Sequence, residues 1–282
     1  MVRVLGIGDN TVDIYVDQGV QFPGGNAVNV PIMMKRLGAE ASYLGCIGTD
    51  FLGDLIRQAL ITEGIDISRL RVIAGPNSWS RIRHVGGDRV FAGSHPSLRG
   101  DYQLKDEDFR FIAAHDLAHS SVYSRLEDEL SRIRAAAPLL SFDYSSEYDG
   151  DYIARTAPHL DIAFLSDARG SDDQAEALAH RVASHGPRIV VITRGSEGAI
   201  ALVAGKILRQ SVIPASVVDT LGAGDGFIAA FLLSLLAGED IQTALGKGAN
   251  HAAHVCGYRG AFGYETPIRP GQPGLVHPLP TA

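Results

Sequence analysis

The sequence predicts an α/β fold on a mostly parallel central sheet, and three observations predict it. Short Val/Ile-rich runs alternate with helical stretches along most of the chain. The run Ile189–Thr193 is apolar and nearly all β-branched, as befits a parallel strand buried on both faces. With 282 residues, 45% hydrophobic and 20% charged, the chain has ample length for one large α/β domain.

Taken in order, Val2–Ile7 reads as a strand that closes on Gly8-Asp9-Asn10, polar residues at the strand end where open α/β sheets keep their ligands. Gly6 and Gly8 invite a dinucleotide reading, but Thr11 stands where G-x-G-x-x-G needs its third glycine. Residues 12–16 alternate, so Asp13 and Tyr15 share one strand face. Phe22-Pro23-Gly24-Gly25-Asn26 then opens a helix that runs to Gly38, with Lys35 and Arg36 in its last turn as the dipole prefers. Strand Ala41–Ile47, helix Phe51–Glu63 and strand Leu70–Ile73 continue the alternation. Trp79–Val85, Gly86-Gly87 and Asp88–Ala92 read as a hairpin pairing Ile82 with Phe91 and His84 with Arg89. It is either a flap over a site or an edge decoration.

Beyond the hairpin come helix Asp106–Ala114, strand Leu117–Val122, helix Arg125–Ala136, strand Leu139–Asp143 and helix Tyr152–Thr156. Strand Ile162–Leu165, helix Asp172–Ser184 and strand Ile189–Thr193 follow, then the glycine-bearing turn Thr193–Gly198 and a segment Ala199–Val203. A late helix spans Ile241–Cys256, and a Pro-rich tail, 263–282, is given no structure from Pro267 on. Gly246-Lys247 is no P-loop, because Gly248 stands where Ser or Thr is needed.

The chemistry concentrates in Asp219-Thr220-Leu221-Gly222-Ala223-Gly224-Asp225. From Phe227 to Leu236 the sequence is apolar almost all round, so this segment precedes a helix buried in the core. Its N-terminus offers unpaired N–H groups and the positive dipole end, and the glycines admit an anion close to the main chain. A phosphate fits there. Asp225 either caps its helix or accepts a proton from an attacking hydroxyl. Gly24 and Gly25 are either helix-entry punctuation or an open backbone for a polyol, with Asn26 and Asn29 bonding its hydroxyls.

Net charge is −7 without a Lys/Arg-rich run, which argues against nucleic acid. Cys46 and Cys256 give neither a disulfide framework nor a metal motif, and read as buried thiols. No secretion leader is visible and no apolar run reads as a membrane span, so a cytoplasmic location is expected.

Gly24-Gly25-Asn26, Thr193-x-Gly195-x-x-Gly198 and Asp219-Thr220-x-Gly222-Ala223-Gly224-Asp225 resemble, in order, the signatures of the ribokinase or phosphofructokinase-B group of sugar kinases. The resemblance covers about Val4 to Ala261. It implies a ribokinase-like three-layer α/β/α domain over 1–262, with a small β lid from about 12–22 and 77–93. Within that group, Gly8-Asp9-Asn10-x-Val12-Asp13, Gly24 to Val30, Asp88-Arg89-Val90-Phe91 and Phe142-Asp143-Tyr144-Ser145 look like the bacterial fructoselysine (fructosamine) 6-kinases. The activity so implied is ATP-dependent phosphorylation of a ketosamine sugar at its 6-hydroxyl.

The resemblance makes Asp225 the catalytic base and Gly222, Ala223 and Gly224 the anion hole. Asp9, Asn10, Asp13, Gly24, Gly25, Asn26, Asn29 and Arg89 become candidate sugar-site residues. Thr193, Gly195, Ser196, Gly198, Gly224 and Asn250 become candidate ATP contacts. Mg²⁺ is implied as well. Asp219 and Thr220 resemble a loop where many relatives hold a monovalent cation, so K⁺ is admitted, as is a homodimer through the lid. Ser166-Asp167-Ala168-Arg169 departs from the group's Asn-x-x-Glu beside the metal, and Asp143-Tyr144-Ser145 from its Asp-x-Asn. The rivals are a kinase for a simple ketohexose or a nucleoside, and a non-catalytic sugar or nucleotide sensor.

Overall fold

The structure, a computed structural model, describes residues 1–85, 88–95 and 103–275, with the backbone alone for 84, 85 and 88–90. Strand β1 (Arg3–Gly8) is followed by β2 (Thr11–Tyr15), β3 (Val20–Gly24), α1 (Asn26–Arg36), β4 (Glu40–Ile47), α2 (Phe51–Thr62) and β5 (Asp66–Val72). Then come β6 (Trp79–Val85), β7 (Asp88–His95), α3 (Asp106–Ile112), β8 (Leu117–Ser121), α4 (Leu130–Ala136), β9 (Leu140–Asp143) and α5 (Gly150–Thr156). The second half holds β10 (Ile162–Ser166), α6 (Asp172–Ala183), β11 (Ile189–Thr193), β12 (Ala199–Val203) and β13 (Lys206–Gln210). It closes with α7 (Ala223–Leu236), α8 (Ile241–Val255) and β14 (Thr266–Pro267).

Nine strands form one sheet in the order β13-β12-β11-β10-β9-β8-β1-β4-β5, parallel from β5 to β11 and antiparallel at β12 and β13. Successive side chains in a strand point to opposite faces, and each central strand feeds two cores. Ile162 and Phe164 of β10 join α1, α2, α7 and α8 on one face. Ala163 and Leu165 join α3 to α6 on the other. Three layers result, as expected.

A second sheet, β14-β3-β2-β6-β7, forms the lid. Its hairpin keeps the predicted register, Ile82 opposite Phe91 and His84 opposite Arg89, with an irregularity between Ser80 and Ile82. Gly86-Gly87 lies outside the described residues. β2 pairs with β3 and β6 so that Asp13 stands beside Phe22 and Ser80, and Tyr15 beside Ile82. These residues share the front of the lid. Val12, Ile14, Trp79 and Arg81 occupy the back.

Four features differ from the sequence reading. β3 begins at Val20 where only a chain break was expected, because Pro23 lacks the donor that marks an ordinary strand residue. β13 was not foreseen. The helix expected from Arg125 starts at Leu130, since Arg125 takes a left-handed φ of 53°, outside the helical region. The tail is not structureless: β14 pairs with β3, and Gln272 is buried. Gln272 exchanges amide hydrogen bonds with Gln21, at 2.7 and 3.1 Å, and Gly274 lies against Ile14 and Trp79. Residues 276–282 lie outside the described residues.

Gln21 is fully buried, and removing its partner leaves a desolvated amide, at about 1–3 kcal/mol. Gln272→Ala is therefore expected to lower Tm by roughly 2–10 °C. Trp79, the only tryptophan, sits under the same segment, so its fluorescence should shift to the red. An unchanged melt and spectrum would mean that the segment does not hold the lid.

Candidate active site

Among the described residues five helices have eleven or more residues, and three of them, α2, α6 and α8, begin with a side-chain cap from Asp50, Ser171 and Asp240. The other two, α1 and α7, begin at Gly25 and Gly222 without one. Both uncapped ends meet at the same place. Gly222 has φ 77°, and a Cβ there would lie 2.5 Å from that of Ala261. Gly25 has φ 107°, and its Cβ would lie 2.5 Å from the Cα of Asn10. Neither position admits a side chain, so both are fixed by geometry.

Asp225 stands half-buried in the first turn of α7. Its Oδ1 accepts from the Asn26 amide at 2.8 Å and its Oδ2 from the Asn29 amide at 2.6 Å. Residues 196 or more positions away in sequence thus bind one carboxylate. The Asn29 Oδ1 is buried and has no hydrogen-bond partner. A Cβ placed on Gly24 would lie 2.7 Å from Asp13 Oδ2 and 3.6 Å from that Asn29 oxygen. Asp13, Gly24, Asn29 and Asp225 therefore cluster between the lid and α7.

Asn26 is engaged differently. Its amide nitrogen also donates to Asp143 Oδ2 at 3.0 Å, and its oxygen meets His119 Nε2 at 2.9 Å. His119 Nδ1 lies 2.8 Å from Ser141 Oγ. Asp9 and Asn10 also bond to the protein. Asp9 Oδ1 accepts from Ser121, Ser124 and the Ala27 N–H, while the Asn10 amide donates to Tyr43 and the Cys46 carbonyl. The Arg89 side chain lies outside the described residues, and Arg81 is buried at the back of the lid over the Trp79 ring, 5.3 Å to its centroid.

Among the candidate ATP contacts, Thr193 ends β11, Gly195 and Ser196 form a short 3-10 turn, and Gly198 starts the return. The Thr193 hydroxyl pairs with Ser166 at 3.0 Å, and Asp167 N–H donates to the Thr193 carbonyl at 2.9 Å. Asn250 is exposed on α8, its amide bonded to the Gly246 carbonyl. Val212, Val217 and Val218 are exposed on the segment before Asp219.

Asp219 is buried and clasps three parts of the chain. Its Oδ2 accepts from the Tyr15 hydroxyl at 2.6 Å and the Gly260 N–H at 3.0 Å, and its Oδ1 from the Leu221 N–H at 3.0 Å. Thr220 is exposed. A carboxylate already ringed by donors is poorly placed to hold a cation. Among the described residues, no group of three or more His, Cys, Asp or Glu could hold a metal ion.

Burial pushes the Asp143 carboxyl up to about 7, helped by the charges of Asp225 and Asp9 and opposed by the Ser145 N–H. Burial drives His119 down to about 3. The two shifts have opposite consequences for stability. Asp143 contributes stability below its unfolded value, near 3.9, which is lost as pH rises through 7; His119 contributes stability above about 6.5, which is lost as pH falls towards 3. Between about 4 and 6.5 the unfolded chain carries one proton on His119 and the folded chain one on Asp143, so the contributions cancel. Relative to the unsubstituted protein, Asp143→Asn is expected to gain stability from about pH 4 to 7, and His119→Phe to lose it from about pH 3 to 6.5. Urea midpoints against pH test this; curves parallel to the unsubstituted protein would contradict it.

Residues 3–267 match the family described as pfkB family carbohydrate kinase. The chain is 39% identical to the fructosamine kinase FrlD of Bacillus subtilis (strain 168), over 95% of both chains. It is 34% identical to the fructoselysine 6-kinase of Escherichia coli (strain K12), over 91% of this chain and 98% of that one. In fold it is similar to Arabidopsis thaliana ribokinase solved with ribose and ATP, with a TM-score of 0.82 at 20% identity over 93% and 94% of the two chains.

Proposed function

This chain belongs to the pfkB family of carbohydrate kinases, and on that footing we propose that it transfers the terminal phosphoryl group of ATP to the 6-hydroxyl of a ketosamine sugar such as fructoselysine or another fructosyl amino acid. The names of the two relatives support the sugar class. The observation that carries the reading is the cluster between lid and α7, where the unpartnered Asn29 oxygen stands near Asp13 and Asp225. Clustered acceptors suit a polyol, which brings many O–H donors.

In this reading Asp225 accepts the proton of the attacking hydroxyl. A carboxylate is too weak a base to remove it in the ground state, so transfer comes late, as the attacking oxygen becomes acidic in a loose transition state. Gly222, Ala223 and Gly224, at the N-terminus of α7, receive the charge on the phosphoryl oxygens. Thr193, Gly195, Ser196 and Gly198 hold the nucleotide phosphates, and Asn250 with the exposed valines borders the base. Mg²⁺ binds mainly phosphate oxygens and water with one or two carboxylates. The donor set fits that mode, with Asp167 beside the Thr193 turn as the residue to hold it. When bound, the ion would neutralise phosphate charge. We leave a monovalent cation at Asp219 out of the proposal, because its oxygens already meet Tyr15, Leu221 and Gly260.

The kinase unit is taken as 1–262 with the lid from 12–22 and 77–93, and residues 264–275 as the lid's backing. A homodimer through the lid is proposed only at the β7 edge, where Phe91 is 66% exposed, since Gly274 already packs behind Ile14 and Trp79. A cytoplasmic location goes with the use of ATP and with Cys46 and Cys256 being outside any disulfide. Among the described residues no helix is long and apolar enough to cross a membrane.

Two experiments test the reading. Asp225→Asn should abolish nearly all turnover while sugar and ATP binding stay within a few-fold; single-turnover transfer at full rate would remove the assigned role. An amino-acid-bearing sugar brings a carboxylate, which an arginine fork holds by two parallel bonds. Arg81 is committed to the back of the lid and Arg83, two positions on in β6, shares its face, so Arg89, on the opposite face, is the residue assigned to that carboxylate. Arg89→Met should depress activity on fructosyl amino acids far more than on the decarboxylated fructosyl amine, whereas Arg81→Met should affect both alike. Equal losses in Arg89→Met would place carboxylate recognition elsewhere.

A further inference from the structure

Asn26 stands among the candidate sugar contacts, yet its bonds point away from a ligand. Both hydrogens of its amide are taken, by Asp225 Oδ1 at 2.8 Å and Asp143 Oδ2 at 3.0 Å. Its oxygen faces His119 Nε2 at 2.9 Å. A flipped amide would set that oxygen against two carboxylates, so this orientation is the one the chemistry allows. An amide oxygen can only accept, which makes His119 Nε2 the donor. His119 Nδ1 then accepts from the Ser141 hydroxyl, 2.8 Å away. One tautomer of one imidazole thereby dictates which end of Asn26 faces Asp225.

We propose that His119 and Asn26 are positioning residues for phosphoryl transfer, a relay Ser141–His119–Asn26 that holds the Asp225 carboxylate at the angle from which it receives the substrate proton. The relay is built into the rigid part of the fold. His119 lies mid-strand in β8, in register with Gly6 of β1 and Ser141 of β9. It is 1% exposed and Ser141 fully buried, and Asn26 is the first residue of α1. Nothing along it can swing without breaking a buried hydrogen bond. Asn29 supplies the second support, on the other oxygen of Asp225. Neither amide adds positive charge, so the carboxylate is oriented by neutral donors alone.

This inference rests on Asp225 as the base, and the measurements separate the two. His119→Phe keeps the ring's bulk and removes the donor, freeing the Asn26 amide to turn. It is expected to lower kcat on the order of 10–100-fold, the penalty for a misplaced catalytic group, while the KM values for sugar and ATP stay within about threefold. His119→Gln, which restores an N–H donor, should recover part of the loss. Ser141→Ala removes only the hydroxyl that meets His119 Nδ1 and keeps the relay testable if the Phe variant does not fold; it should lower kcat in the same direction. Nitrogen-15 spectra of the unsubstituted protein should show His119 protonated at Nε2 and bare at Nδ1 from pH 5 to 8. A folded His119→Phe with full kcat beside an inactive Asp225→Asn would overturn the relay alone. So would a rise in sugar KM at unchanged kcat, which would return Asn26 to substrate binding, or an Nδ1–H tautomer. A fully active Asp225→Asn would remove both the base and the relay.

Discussion

Helix α7 must be buried, and much else follows from that. It is apolar on nearly every side, with Phe227 to Leu232 in the core, and a helix of this kind is stable only when other elements cover it. α8, α1 and the sheet do so. Burial fixes both ends of the helix, so its first turn, with Gly222 and Asp225, is set at the edge of the sheet and cannot drift. The backbone before it must then be tied down without a side-chain cap. Asp219 does this by drawing the Leu221 N–H, the Gly260 N–H and the Tyr15 hydroxyl to one carboxylate. The same residue joins the lid to the loop that opens α7, so the two are referred to one point.

The lid was legible from the front and not from the back. Its hairpin register follows from strand alternation and a two-glycine turn, both local signals. Its backing depends on contacts some 250 positions apart, Gln21 with Gln272 and Ile14 with Gly274. A segment with Pro267, Pro270 and Pro273 has no period that betrays such packing. The helix expected from Arg125 failed for a similar reason: composition favoured it, but the chain first has to turn so that Ser124 can reach Asp9.

In the site, the sequence marked Asp225, Asn26 and Asn29, because glycines beside polar residues at helix starts are informative. It did not tell which of these meet substrate and which meet each other. Asn26 and Asn29 read as equivalent amides one turn apart, yet one has its amide hydrogens and oxygen all bonded to protein, while the other keeps a buried oxygen unpartnered. His119 left no usable signal. A single histidine in an apolar strand is indistinguishable from core filling until the helix above it is known. Asp143 was noted only as part of an unusual triplet, and its proximity to Asp225 emerges from the sheet order.

The arrangement also meets an electrostatic difficulty particular to this chemistry. A base that serves phosphoryl transfer must stay anionic beside a polyanionic nucleotide, although like charges at short range favour protonation of one of them. An arginine or lysine against Asp225 would relieve the repulsion but would weaken the base. Amides resolve this by orienting the carboxylate through N–H dipoles and leaving its charge intact. Burial, with the charges of Asp225 and Asp9 adding to it, holds the Asp143 carboxyl up near 7, so that it can carry the proton at moderate pH. Asn26, donating to both, makes two carboxylates tolerable in one buried place, with a neutral His119 behind it. Placing a second charge in that relay, as an Asn26→Asp change would, brings three carboxylates together with no donor between them, so the amide is dictated by the chemistry of its neighbours as much as by its own reach.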